Sequence, residues 1–323
     1  MRQEARAILL AVGDGYFTLE KPFCFNGYMP NRNSWLSVIL LFGLFNMTKP
    51  ASAQALIPHT LQLNSTQLEQ QGLSLAQEAA QLAQFQQYEL ALPRARLATQ
   101  LAPKNFQAWF LLGGLYLQSD EIDKGIAALQ EARRLNANES TILFALGSAY
   151  FQKQQYEQAI AEIQAGLKIK PNVPEALFDL GNAYYKLRKF PEAIASYEKA
   201  IAAEAKFWPA LTNIGLIKYE QGDIDGAIGM WRKSVEIDKE AAEPQLALAV
   251  ALYAKGDREQ GIALGEAALR SDDRYANVDF LKENLWGDRL IQDAQKLLAT
   301  PRIQATIAQA QEQRSQQQQR PPR

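Results

Sequence analysis

Small and apolar positions recur along this chain with a fixed period. Gly113, Gly147, Gly181 and Gly215 stand 34 residues apart, each preceded by an aliphatic residue, Leu112, Leu146, Leu180 or Ile214. Periodicity on this scale marks a repeat architecture, in which each unit buries its apolar face against its neighbours. Extended both ways, the frame gives six units: 72–105, 106–139, 140–173, 174–207, 208–241 and 242–275. Column eight reads Ala79, Gly113, Gly147, Gly181, Gly215, Ala249, and column twenty reads Ala91, Gly125, Ala159, Ala193, Ala227, Gly261. Column twenty-seven, Ala98, Ala132, Gly166, Ala200, Ser234 and Ala268, is small throughout as well, while column twenty-one is Leu92 followed by five isoleucines. Residues this small let two helices approach to about 8–10 Å. Each unit is therefore predicted to be helix A, a short turn, helix B and a turn onward. Gly222-Asp223 and Gly256-Asp257 mark two A-to-B turns, glycine as a left-handed C-terminal cap and aspartate as the cap of the next helix.

At the upstream edge, Thr66-Gln67-Leu68-Glu69 has the capping-box pattern, which starts the first A helix near Gln67. Downstream, residues 276–300 are predicted to form capping helices over Val278–Asn284 and Arg289–Ala299. There Leu290, Ile291, Ala294, Leu297 and Leu298 recur at helical spacing and would seal the last repeat. Pro301 ends that pattern. The segment 301–323, with its glutamine run and Arg320-Pro321-Pro322-Arg323, is expected to be a disordered tail.

The pattern resembles the tetratricopeptide repeat family from about Gly72 to Tyr275, within an array spanning 66–275. One unit reads Ala176-Leu177-Phe178-Asp179-Leu180-Gly181-Asn182-Ala183-Tyr184-Tyr185, followed by Pro191-Glu192-Ala193-Ile194 and Tyr197-Glu198-Lys199-Ala200. The family's large residue in column four appears as Trp109, Leu143, Leu177 and Leu211, and its column-eleven tyrosine as Tyr116, Tyr150 and Tyr184. The first unit departs with Glu78 in place of leucine, and the last with Gly265 in place of a bulky residue. The resemblance implies an all-α, right-handed superhelical solenoid of six repeats with C-terminal capping helices. It also implies an inner groove lined by helix A columns two, five, nine, twelve and thirteen. On this chain the groove residues are Phe110, Leu117, Gln118, Phe144, Phe151, Gln152, Phe178, Asn182, Tyr185, Lys186, Tyr219, Glu220 and Tyr253. Columns five, nine and twelve share one helix face, so an aromatic stripe is expected there, taking a peptide or helix of another protein. Alternatively, these bulky residues belong to the family's packing. Replacing Phe144, Phe178 and Tyr185 with alanine is expected to abolish partner capture. The lysine and asparagine clamp with which some members hold acidic chaperone C-termini is not matched, since column five is mostly apolar.

Residues Arg32 to Ala53 read as an export signal, with Arg32 ahead of the apolar run Leu36–Phe45 and Ala51-Ser52-Ala53 before Gln54. A signal at 29–53 expects a start at Met29, with 1–28 an upstream extension and 54–65 a linker. The alternative is an anchor over residues 35–47, although the apolar run is about half the ~20 residues that span a bilayer.

Composition narrows the function. The formal net charge is -1 and the sequence pI about 6.1, against the basic excess that nucleic-acid binding requires. One cysteine, Cys24, and one histidine, His59, leave no disulfide framework, histidine pair or spare triad. Asp120-Glu121 and Asp272-Asp273 fall at turns, where acids cap helices. No phosphate loop occurs. No catalytic residue, metal or cofactor is expected. The reading is a non-catalytic interaction scaffold or assembly factor in the periplasm or thylakoid lumen, similar to exported repeat proteins of Gram-negative bacteria and cyanobacteria. A recruiting or regulatory module for a cell-wall enzyme, and a self-assembling structural protein, are the other readings.

Overall fold

The computed structural model describes residues 64–318, and the expected signal, its alternative anchor, Cys24 and His59 lie outside them. Among the described residues helices alternate as A and B of successive units. They are α1 (Ser65–Gln84) and α2 (Tyr88–Leu101), α3 (Phe106–Gln118) and α4 (Ile122–Leu135), and α5 (Ser140–Gln152) and α6 (Tyr156–Ile169). The next are α7 (Pro174–Lys186) and α8 (Phe190–Ala203), α9 (Trp208–Glu220) and α10 (Ile224–Ile237), and α11 (Ala242–Ala254) and α12 (Arg258–Ser271). A 3-10 turn (Asp273–Ala276), α13 (Val278–Glu283), α14 (Asp288–Leu298) and α15 (Pro301–Gln318) follow. Among the repeat units each A helix packs on its own B helix, and each B helix packs on the next unit's A helix, giving a solenoid.

The A-to-B turns repeat one geometry. Column fifteen is left-handed in all six units: Gln86, Asp120, Gln154 and Arg188 have φ near +60°, and Gly222 and Gly256 have +88° and +101°. Two backbone bonds close each turn, as in Gln154 N to Phe151 O at 2.9 Å and Gln155 N to Tyr150 O at 2.8 Å. This is the Schellman arrangement that satisfies the last carbonyls of a helix. Asp223 caps α10 by accepting from Gly226 N at 2.9 Å, whereas Asp257 makes no side-chain cap bond. Asp120 occupies the left-handed position rather than a cap. Upstream, the cap of α1 is Asn64, which accepts from Thr66 N and Gln67 N, so the helix begins at Ser65 and the capping-box reading is corrected.

Within a unit, the small column-eight residue receives column twenty-four of helix B. Gly113 faces Leu129, Gly147 Ile163, Gly181 Tyr197 and Gly215 Trp231, and a Cβ at Gly113 would lie 2.7 Å from Leu129 Cγ. In the terminal units column eight is alanine, and column twenty-four shrinks to Ala95 and Gly265. The core is accordingly a string of clusters, one at each seam, rather than one centre. Side-chain bonds between neighbours follow the period too, as Gln130 to Tyr150 at 3.1 Å and Gln164 to Tyr184 at 2.9 Å.

The C-terminal segment completes the last seam. Leu290, Ile291, Ala294, Leu297 and Leu298 are all buried. Gly265 is not a frayed end: a side chain there would meet Ile303 and Leu297, so its absence makes room for the cap. The expected disordered tail is helical through Gln318. Proline is tolerated at a first helical position, Ile303 and Thr306 are buried, and Arg302 pairs with Glu259 at 3.0 Å and Glu266 at 3.1 Å. These contacts give the segment something to bury, which its glutamine content concealed.

Candidate protein-binding face

The expected groove residues lie on the A helices, but most of their apolar surface turns inward. Column five packs toward column twenty-seven of the same unit. Phe110 shares a core cluster with Ala132 and is buried. Phe144 lies over Gly166, where an added Cβ would collide with its ring. Phe178 packs between Tyr197 and Phe207, both at 5.6 Å between ring centres. In the fifth unit the same two columns meet as a hydrogen bond, Thr212 to Ser234 at 3.1 Å. The small column twenty-seven is thus the receptor for column five, and an open stripe through Phe110, Phe144 and Phe178 is corrected on that ground.

Column twelve behaves similarly. Leu117 is buried against Gly125, Phe151 is half-buried edge-on to Tyr156 at 5.3 Å, and Tyr185 sits 5.7 Å from Phe190. Tyr219 is buried beside Trp231, and half-buried Tyr253 lies beneath Arg258 at 5.8 Å. In column nine, Asn182 is buried between units, its Oδ1 accepting from Tyr197 Oη at 2.8 Å and Asn213 Nδ2 at 2.9 Å. It is a structural residue and has no open groove face. Column thirteen is the polar edge. Gln118 and Gln152 are half-buried and Lys186 is exposed. The Gln118 amide nitrogen is buried without a hydrogen-bond partner among the described residues. Although the Lys186 side chain reaches solvent, partial desolvation of its amine lowers the pKa from the usual lysine value.

Over the fourth to sixth units the face is occupied by the chain's own C-terminal segment. α14 lies on α9 and α11. Tyr185 Oη donates to Leu285 O at 2.7 Å, and Tyr219 Oη donates to Asp293 Oδ2 at 2.7 Å. Glu220 accepts from Arg289 N at 3.2 Å and Leu290 N at 3.0 Å. The α14 N-cap, Gly287, has no side chain to offer, so Glu220 supplies the cap from the array and places negative charge at the positive end of the helix. Trp286 Nε1 donates to Glu243 Oε1 at 3.2 Å.

The electrostatics fix the polarity of these bonds. Burial, with Glu220 nearby, pushes the Tyr185 phenol far above its ordinary value. Burial and the hydrogen bond to Asp293 do the same for Tyr219. Both therefore remain donors at neutral pH. Burial acts against the Asp293 charge, yet bonds from Lys296 and Tyr219 outweigh it and hold the carboxyl below its usual range. Burial pushes the Glu243 carboxyl up to about 7, opposed by the Trp286 bond.

Leu285, Trp286, Arg289 and Asp293 were not singled out from sequence. The amphipathic pattern of α14 was legible, but contacts across 43 to 100 positions leave no local signal. No cluster of His, Cys, Asp or Glu among the described residues could hold a metal. No described helix is long and apolar enough to cross a membrane.

Sequence models described as tetratricopeptide or TPR repeat match residues 147–188, 174–206 and 212–276. A model described as ChAPs (Chs5p-Arf1p-binding proteins) matches residues 29–140. No curated protein matches the chain in sequence. The fold is similar to the Pseudomonas aeruginosa pilF structure, with TM-score 0.56, 14% identity, and coverage of 68% of this chain and 99% of that one. It is also similar to the APC/C hetero-tetramer Cut9-Hcn1, with TM-score 0.55, 15% identity, and coverage of 76% of this chain and 44% of that one. A MamA structure matches at 23% identity with TM-score 0.47, over 51% of this chain and 96% of that one. Likeness at these identities concerns the fold alone. In repeat pattern, helix pairing and packing, the array resembles a tetratricopeptide-repeat solenoid, and the repeat models match it over residues 147–206 and 212–276.

Proposed function

We propose that the protein is a non-catalytic scaffold that holds a peptide or helix of another protein on the A-helix face of its second to fourth units, outside the cytoplasm. Tetratricopeptide repeats generally mediate protein contacts, and none of the matching family models is that of an enzyme. The observation that carries the reading is α14. An amphipathic helix is already held on this face, through columns twelve and thirteen of the fifth unit, and Leu285 just ahead of it bonds to column twelve of the fourth. In the second to fourth units the same columns carry Leu117 and Gln118, Phe151 and Gln152, and Tyr185 and Lys186. The match to Chs5p-Arf1p-binding proteins accords with an adaptor role. Export rests on the Arg32 to Ala53 pattern.

The test is capture by the full-length protein from its native source. The alanine triple of Phe144, Phe178 and Tyr185 would damage the core and the cap tether, so the variant of choice is Gln152→Glu with Lys186→Glu. A partner retained by the wild type and lost by this variant, at unchanged helix content, supports the reading. Equal retention overturns it. A native chain beginning at Gln54 supports export, and one retaining residues 29–53 counts against cleavage.

A further inference from the structure

The contacts that hold α14 exceed what a cap needs. Leu290, Ile291, Ala294, Leu297 and Leu298 of α14 cover the last apolar seam together with Leu281, Trp286 and Ile303. The segment is additionally gripped by two buried-side tyrosines, a carboxylate at its N-terminus and the Trp286–Glu243 bond. These polar partners come from columns two, twelve and thirteen, all on the face read above as protein-binding. The approach to α14 is a Schellman turn like those of the array: Leu285 has φ +67°, Leu285 N bonds Lys282 O at 3.2 Å and Trp286 N bonds Leu281 O at 3.1 Å, and the Leu285 carbonyl is the one Tyr185 holds. α15, beyond, has its own anchorage on α12 through Ile303 and Arg302.

We propose that the A-helix face of the fifth and sixth units is a helix-binding site that α14 occupies in cis, closing that part of the face until an amphipathic helix of a partner protein takes its place. This rests on the reading of the A-helix face as protein-binding. The site specifies its ligand chemistry. The ligand opens on an uncapped first turn, which Glu220 caps. It is apolar at its third, fourth, seventh, tenth and eleventh residues, and its sixth carries a carboxylate for the Tyr219 hydroxyl. The fold of the site leaves Lys186 and the second and third units outside this closure.

The probe is a fluorescent synthetic peptide of residues 286–300, offered to the full-length protein. Leu290→Ala with Asp293→Asn weakens the resident helix while leaving the receiving residues intact. A site open only part of the time binds with an affinity reduced by that fraction, so this variant should bind the peptide about tenfold or more tighter than the wild type. Adding Tyr219→Phe should weaken that binding again. Equal weak binding by wild type and variant, with helix content preserved, overturns the proposal. Should the variant lose helix content, hydrogen exchange of the wild type decides instead. Opening of residues 286–298 while α9 and α11 stay protected supports it, and exchange of α14 only together with α9 and α11 sinks it. Neither outcome touches the capture test at Gln152 and Lys186, so the two readings can fail separately.

Discussion

Each A-to-B turn requires a left-handed residue, and four of the six units supply one that is not glycine. A left-handed L-residue costs about 1–2 kcal/mol, offset by the ~0.5–1 kcal/mol that glycine loses in extra chain entropy. Gln154→Gly, at an exposed position, should therefore stabilise the protein by roughly 0.5–1 kcal/mol, read as a raised urea midpoint. An unchanged or lowered midpoint would refute the account. Column eight works in the opposite sense. A Cβ at Gly181 would overlap the ring of Tyr197, which is buried and bonded to Asn182. Gly181→Leu should cost about 1–3 kcal/mol or more by overpacking, and a variant with wild-type stability would show that the A and B helices can part freely. The small columns were readable from the sequence because they recur in every unit. Their partners in column twenty-four were not, because Leu129, Ile163, Tyr197 and Trp231 share size rather than identity.

At the scale of elements, α14 is tied to the array by a titratable contact. Asp293 is held below its ordinary value by Lys296 and Tyr219 against the opposing effect of burial. A carboxyl whose folded value is depressed contributes stability that is present above its unfolded value, near 3.8, and lost as pH falls through the folded one. The stability gap between wild type and Asp293→Asn should accordingly narrow as the medium is taken below about pH 4. Urea midpoints at several pH values measure it, and a gap independent of pH would remove Asp293 from the tether. The amphipathic stripe of α14 was visible as a pattern of apolar residues, and so was the candidate face on the A helices. That the two meet was not, because a helix's periodicity says which side it buries and nothing about the partner it buries against.

Across the whole molecule, the seams differ in what they bury. The buried hydrophobic side chains of the first unit are all alanines: Ala76, Ala79, Ala83, Ala91, Ala95, Ala98 and Ala102. The last seam collects Trp231, Leu246, Leu269, Leu281, Trp286 and Leu297. Because each unit touches only its neighbours, stability is local and the array can open from one end. Amides of α1 and α2 should exchange faster than those of α9 to α12, with hydrogen exchange by mass spectrometry as the readout. Uniform protection would mean that the array opens as one unit. The 34-residue period determined by itself that the chain is an all-α array of paired helices, since close helix contact demands small residues at fixed spacing and the chain repeats them. Only the tertiary structure decided which groove residues face outward. Phe110, Phe144 and Phe178 are drawn into their own units by the small residues opposite, and Tyr185, Tyr219 and Glu220 are claimed by a C-terminal segment 70 to 100 positions away. Burial and long-range hydrogen bonding are properties of the assembled chain, and no local pattern encodes them.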